Sequence, residues 1–201
     1  MPQLVPIRDD PNEPYIMMEF DPDNPKHVQV FADMDRQPEA LKWMAGHQIS
    51  TPEELDELIR ASLNDPKDPR LLLAVATREK EILGWVQYYP EHAERIEQIN
   101  KQMKLPENAL VWETSFLKYL TEVPHPGVAV NGVKQTLGII ADLEVTIAQA
   151  ANKEPRPIVI TAYTDPANGA SEAVLKKNGF QLLGEKVDYD GELNNAWVKI
   201  I

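Results

Sequence analysis

The 201-residue chain contains no cysteine. That absence excludes disulfides, thiolate metal sites and cysteine nucleophiles. No apolar run approaches the roughly 20 residues that a membrane-spanning helix needs. The opening MPQLVPIRDD lacks the basic start and apolar core of a secretory signal. A cytoplasmic protein without a membrane partner is the expectation. Basic residues are also scarce: 20 Lys and Arg stand against 32 Asp and Glu, for a net charge of −12. No Lys/Arg run offers phosphates a foothold, so nucleic acid is not an expected partner. The acidic balance instead favours cationic partners such as amines, through long-range steering. His27, His47, His92 and His125 are scattered without metal-ligand spacing, and no metal is expected. No Gly-x-Ser-x-Gly elbow supports serine hydrolysis.

What is present reads as one soluble α/β domain over 1–201. Residues 1–12 form an irregular lead-in, and YIMMEF (15–20) reads as a strand. A helix starts near Pro25, with Val28, Phe31 and Met34 at helical spacing. A second helix is signalled by STPEELDELIRASL: Thr51 caps, Pro52 fits the first helical position, and Glu54 closes a capping box. Its apolar stripe is Leu55, Leu58, Ile59 and Leu63. RLLLAVAT (70–77) and EILGWVQYY (81–89) read as a hairpin around Arg78-Glu79-Lys80. A helical insertion occupies 90–109, with Ile96 and Ile99 on one side. VWETSFLKYL (111–120) is strand-like.

TEVPHPGVAVNG reads as a loop, with a short strand at 128–130. A long helix is expected from about Thr136 to Asn152, with Ile140, Leu143, Ile147 and Ala151 along one face. IVITAYT (158–164) has the unbroken β-branched run of a strand buried on both faces. A helix over 171–177 ends at Gly179, the left-handed stop. A hairpin, 180–189 and 196–201 around Asp190-Gly191, closes the chain.

DPANGASEAVLKKNGFQLLGE (165–185) resembles the second cofactor motif of the GNAT acyltransferase family. Asn168, Ser171, the apolar pair Val174-Leu175 and Lys177-Asn178-Gly179-Phe180 stand at that motif's spacing. QTLGII resembles the family's other motif, Gln/Arg-x-x-Gly-x-Gly/Ala, with Gln135 and Gly138 in place and Ile140 departing. The resemblance is clear over 135–190 and fair over 45–120. Residues 41–89 resemble, in layout, the branch of ribosomal-protein N-terminal and aminoglycoside acetyltransferases.

The resemblance implies a GNAT-like single domain of α/β (α+β) class. Its central sheet is mixed, mostly antiparallel, of six to seven strands, flanked by helices. It implies an acetyl-CoA-dependent N-acetyltransferase acting by direct attack of a primary amine, from a small molecule or a peptide. Gln135, Thr136, Leu137, Gly138, Ile139 and Ile140 would hold the coenzyme A diphosphate at a helix N-terminus. Leu117 and Tyr119 would line the pantetheine arm, and Asn168 and Ser171 would contact the cofactor besides capping their helix.

The attacking amine must shed a proton, since an ammonium with a pKa near 10.4 has no lone pair to give. Glu113 is the first candidate for base, with His125 of the Pro-His-Pro loop as the alternative. The family's acid is a Tyr where this chain has Leu175, which leaves Tyr163 as a stand-in. A non-catalytic CoA-binding domain is the competing expectation, favoured by Ile140 and Leu175. The chain is expected to be a monomer or a homodimer.

Overall fold

The computed structural model describes residues 10–43, 51, 53, 54, 57, 60, 70–118, 124–189 and 192–201. Its elements in chain order are β1 (Ile16–Glu19), α1 (Pro25–Asp35), α2 (Pro38–Trp43), β2 (Leu71–Ala76), β3 (Ile82–Pro90), α3 (Ala93–Gln102), β4 (Leu110–Lys118), α4 (Val128–Ala150), β5 (Ile158–Thr164), α5 (Gly169–Lys177), β6 (Gln181–Tyr189) and β7 (Glu192–Ile200). The strands form one seven-stranded sheet in the order β1-β2-β3-β4-β5-β7-β6. β4 and β5 run parallel, whereas β1·β2, β5·β7 and β6·β7 are antiparallel. The expected mixed, mostly antiparallel sheet flanked by helices is present. The chain divides into two compact units, Met1–Gln87 with Phe116–Gln135, and Tyr88–Ser115 with Thr136–Ile201.

In the first unit, α1 begins where Asn24 accepts a hydrogen bond from the Lys26 amide and Pro25 presets the first helical φ. Its apolar face, Val28, Phe31, Ala32 and Met34, buries against Phe20, Leu72 and Trp85. Phe31 stacks on Trp85 with ring centroids 5.2 Å apart. The capping box forms as read: the Glu54 amide donates to Thr51 Oγ1 at 3.2 Å, and the Thr51 amide to Glu54 Oε2 at 2.8 Å. Residues 53, 54, 57 and 60 are helical. Leu55, Leu58, Ile59 and Leu63 lie outside the described residues. Helix α2 was not expected.

In the second unit, β5 is buried on both faces, as its unbroken β-branched run requires. Helix α5 ends in a Schellman motif. The Phe180 amide donates to the Leu175 carbonyl at 3.1 Å, the Gly179 amide to that of Lys176 at 3.0 Å, and Gly179 takes φ 76°. Phe180 and Leu175 are both buried, completing the motif's apolar contact.

Three expectations need correction. Helix α4 starts at Val128, not Thr136, so 128–130 is helix rather than strand. Its second turn carries Gly132, which reads locally as a breaker but sits where a Cβ would lie 2.6 Å from Val75 Cγ2 and 3.1 Å from Val86 Cγ2. Close packing, not a turn, requires that glycine. The buried positions farther along α4 are Ile140, Glu144 and Ala148, whereas Leu143 and Ile147 are exposed. The expected stop holds: Asn152 adopts φ 53° just beyond the helix. Finally, β7 begins at Glu192, four residues before the expected Ala196.

Candidate active site

The parallel register of β4 and β5 pairs Leu110 with Ile158, Val111 with Val159, Trp112 with Ile160 and Glu113 with Thr161. Beyond that last pair β4 runs on to Lys118 and β5 to Thr164. Glu113 thus stands at the last rung of the ladder, and around it the second unit assembles a buried polar cluster.

The cluster draws on four segments. From the end of β3, Tyr89 Oη donates to Glu113 Oε1 at 2.6 Å. From α3, Arg95 Nη1 donates to Glu113 Oε2 at 2.7 Å. The same nitrogen lies 3.5 Å from Glu91 Oε1, and the guanidinium carbon lies 4.9 Å from the centre of the Tyr163 ring. From β5, Thr161 Oγ1 and Tyr163 Oη donate to Glu91 Oε2 at 2.5 and 2.9 Å. Glu91 is fixed at its own backbone too: its amide donates to the Val111 carbonyl of β4 at 3.0 Å. Its Oε1 accepts from the His92 amide at 2.9 Å, just where α3 begins.

Charges in so dry a place shift titrations. Burial drives the Glu113 carboxyl up to about 7; the Glu91 charge adds to the rise, while Tyr89 and Arg95 hold it back. A carboxyl poised there takes and releases a proton near neutral pH. Tyr163 moves further from use as an acid: burial first, and the Glu91 charge second, push its phenol above the usual range.

The other catalytic candidate, His125, lies in the first unit, half-buried and edge-on to Tyr15 at 6.5 Å. Tyr15 Oη donates to the Pro126 carbonyl at 2.8 Å. Gly127 is exposed, takes φ 77°, and accepts the first helical bond of α4 from the Asn131 amide at 2.8 Å. Only a residue at ease with positive φ seats α4 this way.

The expected diphosphate turn is not a helix opening. Gln135 to Ile140 lie inside α4, where backbone amides are taken by carbonyls four residues earlier. Gln135 Nε2 donates instead to the Tyr15 carbonyl at 2.7 Å and to Asn131 Oδ1 at 2.6 Å. Asn131 and Lys134 both donate to Glu13, whose carboxyl is held below its usual range chiefly by the Lys134 hydrogen bond. Thr136, Leu137, Ile139 and Ile140 are buried and Gly138 is half-buried. Leu117 packs against the Phe31–Trp85 cluster, and Tyr119 lies outside the described residues. Asn168 caps α5 by accepting from the Ser171 amide at 3.1 Å, and both residues are half-buried.

Sequence reading found Glu113 and Tyr163 but missed Tyr89, Glu91, Arg95 and Thr161. The one local signal was the spacing of Glu91 and Arg95, four residues apart, acidic before basic. Among the described residues no group of three or more His, Asp or Glu side chains is placed to hold a metal ion. No helix there is long and apolar enough to cross a membrane.

Known proteins agree with this architecture. No curated protein sequence matches the chain. Solved structures do. AAC(6')-Ib in complex with paromomycin and acetyl-CoA superposes with a TM-score of 0.64 at 12% identity, covering 93% of each chain. The ribosomal-protein-S5-alanine acetyltransferase from Vibrio fischeri gives 0.62 at 19%, covering 96% of each. The microcin C7 self-immunity acetyltransferase MccE, in complex with acetyl-CoA and AMP, gives 0.62 at 16%, covering 94% of each. Residues 18–181 match the family described as "Acetyltransferase (GNAT) domain", and the chain therefore belongs to the GNAT acetyltransferases.

Proposed function

We propose that the chain, as one domain over 1–201, transfers an acetyl group from acetyl-CoA to a primary amine, with Glu113 as the base. The observation that carries this reading is the place of Glu113: last rung of the β4·β5 ladder, buried, its carboxyl poised at about 7. The acceptor class draws support from relatives named for aminoglycosides and for a ribosomal-protein alanine. An acidic chain of net charge −12 attracts such cations.

The residues present fit the donor. The diphosphate belongs at the opening of α4, Gly127 to Val130, not at Gln135 to Ile140. Gly127, just before the helix, is exposed, and the helix start is the positive end of the dipole. By the family resemblance, a backbone N–H of β4 would face the thioester oxygen. Acetyl-CoA supplies an activated acyl group. Glu113 accepts the proton that the attacking nitrogen sheds. Each of its oxygens keeps a lone pair beyond those engaged by Tyr89 and Arg95. Half-buried Tyr89 links that carboxyl to the outside. Tyr163 serves as a brace for Glu91 rather than as the acid.

Ile140 and Leu175, the residues favouring a non-catalytic domain, have structural reasons. Ile140 sits in the buried face of α4, and Leu175 fills the core beneath the α5 cap. The test is Glu113→Gln. Thiol release from acetyl-CoA with a panel of amines should fall about 10²- to 10⁴-fold, with the KM for acetyl-CoA unchanged. In the wild type, kcat/KM should rise with pH through about 7, because the base must be deprotonated, and the variant should lose that limb. Normal turnover in the variant removes Glu113 from the mechanism. Tight CoA binding by the wild type with no turnover on any amine removes the transferase reading.

A further inference from the structure

Among the described residues, Arg95 is the one cation that bonds or faces Glu113 in this cluster, and its side chain is only 12% exposed. It contacts two carboxylates, Glu113 at 2.7 Å and Glu91 at 3.5 Å, and covers the Tyr163 ring. Glu91 is anchored independently of Arg95. It holds Thr161, the residue paired with Glu113 across the ladder, along with Tyr163 and the His92 amide just before α3. An anion just before α3 and a cation in its first turn therefore flank the proposed base.

We infer that Glu91 and Arg95 are positioning residues that govern when Glu113 carries a proton, Arg95 favouring the carboxylate and Glu91 opposing it. This rests on the reading of Glu113 as the base. The groups facing Glu113 are the Tyr89 hydroxyl from β3, the Glu91 carboxylate from the β3–α3 junction, the Arg95 guanidinium from α3 and the Tyr163 phenol from β5. Beside burial and the Tyr89 hydrogen bond, the two charged neighbours push the Glu113 titration in opposite directions. Inside a dry cluster their effect is far larger than at a surface. The cation is thus carried by the insertion helix α3, through Arg95.

The signs follow directly. Without Arg95, Glu113 faces Glu91 uncompensated and holds its proton to higher pH. Without the Glu91 charge, Glu113 releases its proton at lower pH.

The experiment follows the Glu113 side-chain carboxyl by ¹³C NMR against pH, its signal assigned by its loss in Glu113→Gln, alongside the pH profile of kcat/KM. Arg95→Gln should raise the Glu113 midpoint by about one pH unit or more, and Glu91→Gln should lower it by a similar amount. Arg95→Lys, which keeps the charge, should restore the wild-type midpoint. Glu94→Gln, on the exposed side of α3, should leave it where it was. If Arg95→Gln does not fold, Glu91→Gln decides alone: a lowered midpoint supports the inference and a fixed one overturns it. Midpoints that stay fixed in folded Glu91→Gln and Arg95→Gln proteins overturn the inference, because a merely structural role moves stability and not titration. A carboxyl signal that shifts as expected beside an unmoved rate profile upholds the charge control and overturns Glu113 as the base.

Discussion

Gln135 donates to the backbone carbonyl of Tyr15 across 120 residues of sequence, at 2.7 Å, from a fully buried position. With Asn131, Lys134 and Glu13 it staples the segment before β1 to the first and second turns of α4. Its amide therefore has a structural task. Gln135→Ala should cost about 1–3 kcal/mol, the desolvation left behind when a buried carbonyl loses its donor. The KM for acetyl-CoA should not change. Urea denaturation and initial rates on the same preparation check the pair, and a rise in KM without loss of stability returns Gln135 to the cofactor.

The opening of α4 makes the opposite prediction. Pro126→Glu places a carboxylate on an exposed position just before the first turn. An acidic group there is neutral or favourable to the helix dipole, but it repels a diphosphate. CoA affinity by calorimetry should fall about tenfold or more, equivalent to about 1.4 kcal/mol, with no loss of thermal stability. Unaltered affinity puts the diphosphate elsewhere.

Gly84 tests the sheet. A methyl group there would lie 2.5 Å from the Leu117 carbonyl oxygen and 3.4 Å from Lys118 Cα. The obstacle is backbone, which cannot swing aside like a side-chain tip. Gly84→Ala should therefore destabilise by about 1–3 kcal/mol, despite the usual gain from replacing glycine in a strand. An unchanged urea midpoint means that the strands separate more easily than the geometry implies.

These residues also show what the sequence could and could not disclose. Ends governed by local chemistry were legible: the Thr51–Glu54 box, the Asn168 cap, and the left-handed stops at Asn152 and Gly179 each need only a few neighbouring residues. The start of α4 was not. Val128 to Val130 are β-branched or small, and Gly132 resembles a turn residue until Val75 and Val86 press against it. The motif-like Gln135 and Gly138 then drew the expected helix opening eight residues too far along. The helix face was misjudged because Glu144 is buried, and hydrophobic spacing alone has no way to place a carboxylate inside. Glu113 was legible from its strand. Its partners were not, because the β4·β5 pairing brings Thr161 and Tyr163 to Glu91 from some 70 residues away.

The burial of Glu144 gives a prediction with a pH sign. Its two oxygens accept from Arg156 Nε and Nη2 and from the Arg156 amide, all at 3.0 Å. Its carboxyl is held below the ordinary range, first by the Arg156 side chain. A carboxyl with a depressed folded-state pKa contributes stability above its unfolded value, and that contribution is lost as pH falls through the folded one. Arg156→Ala keeps the backbone bond but strips the guanidinium from a carboxylate that is 5% exposed. Arg156 itself is about half-exposed, so solvent screens part of the loss, and the cost at pH 7 should be about 1 kcal/mol. As pH is lowered from the ordinary carboxylate value of 4.5, the wild type should lose this advantage while the variant, already without it, changes less. Urea midpoints measured stepwise from pH 7 to about 3 should therefore converge. A gap between the two proteins that persists undiminished at the acid end assigns the role of Arg156 to packing of its aliphatic stem rather than to its charge.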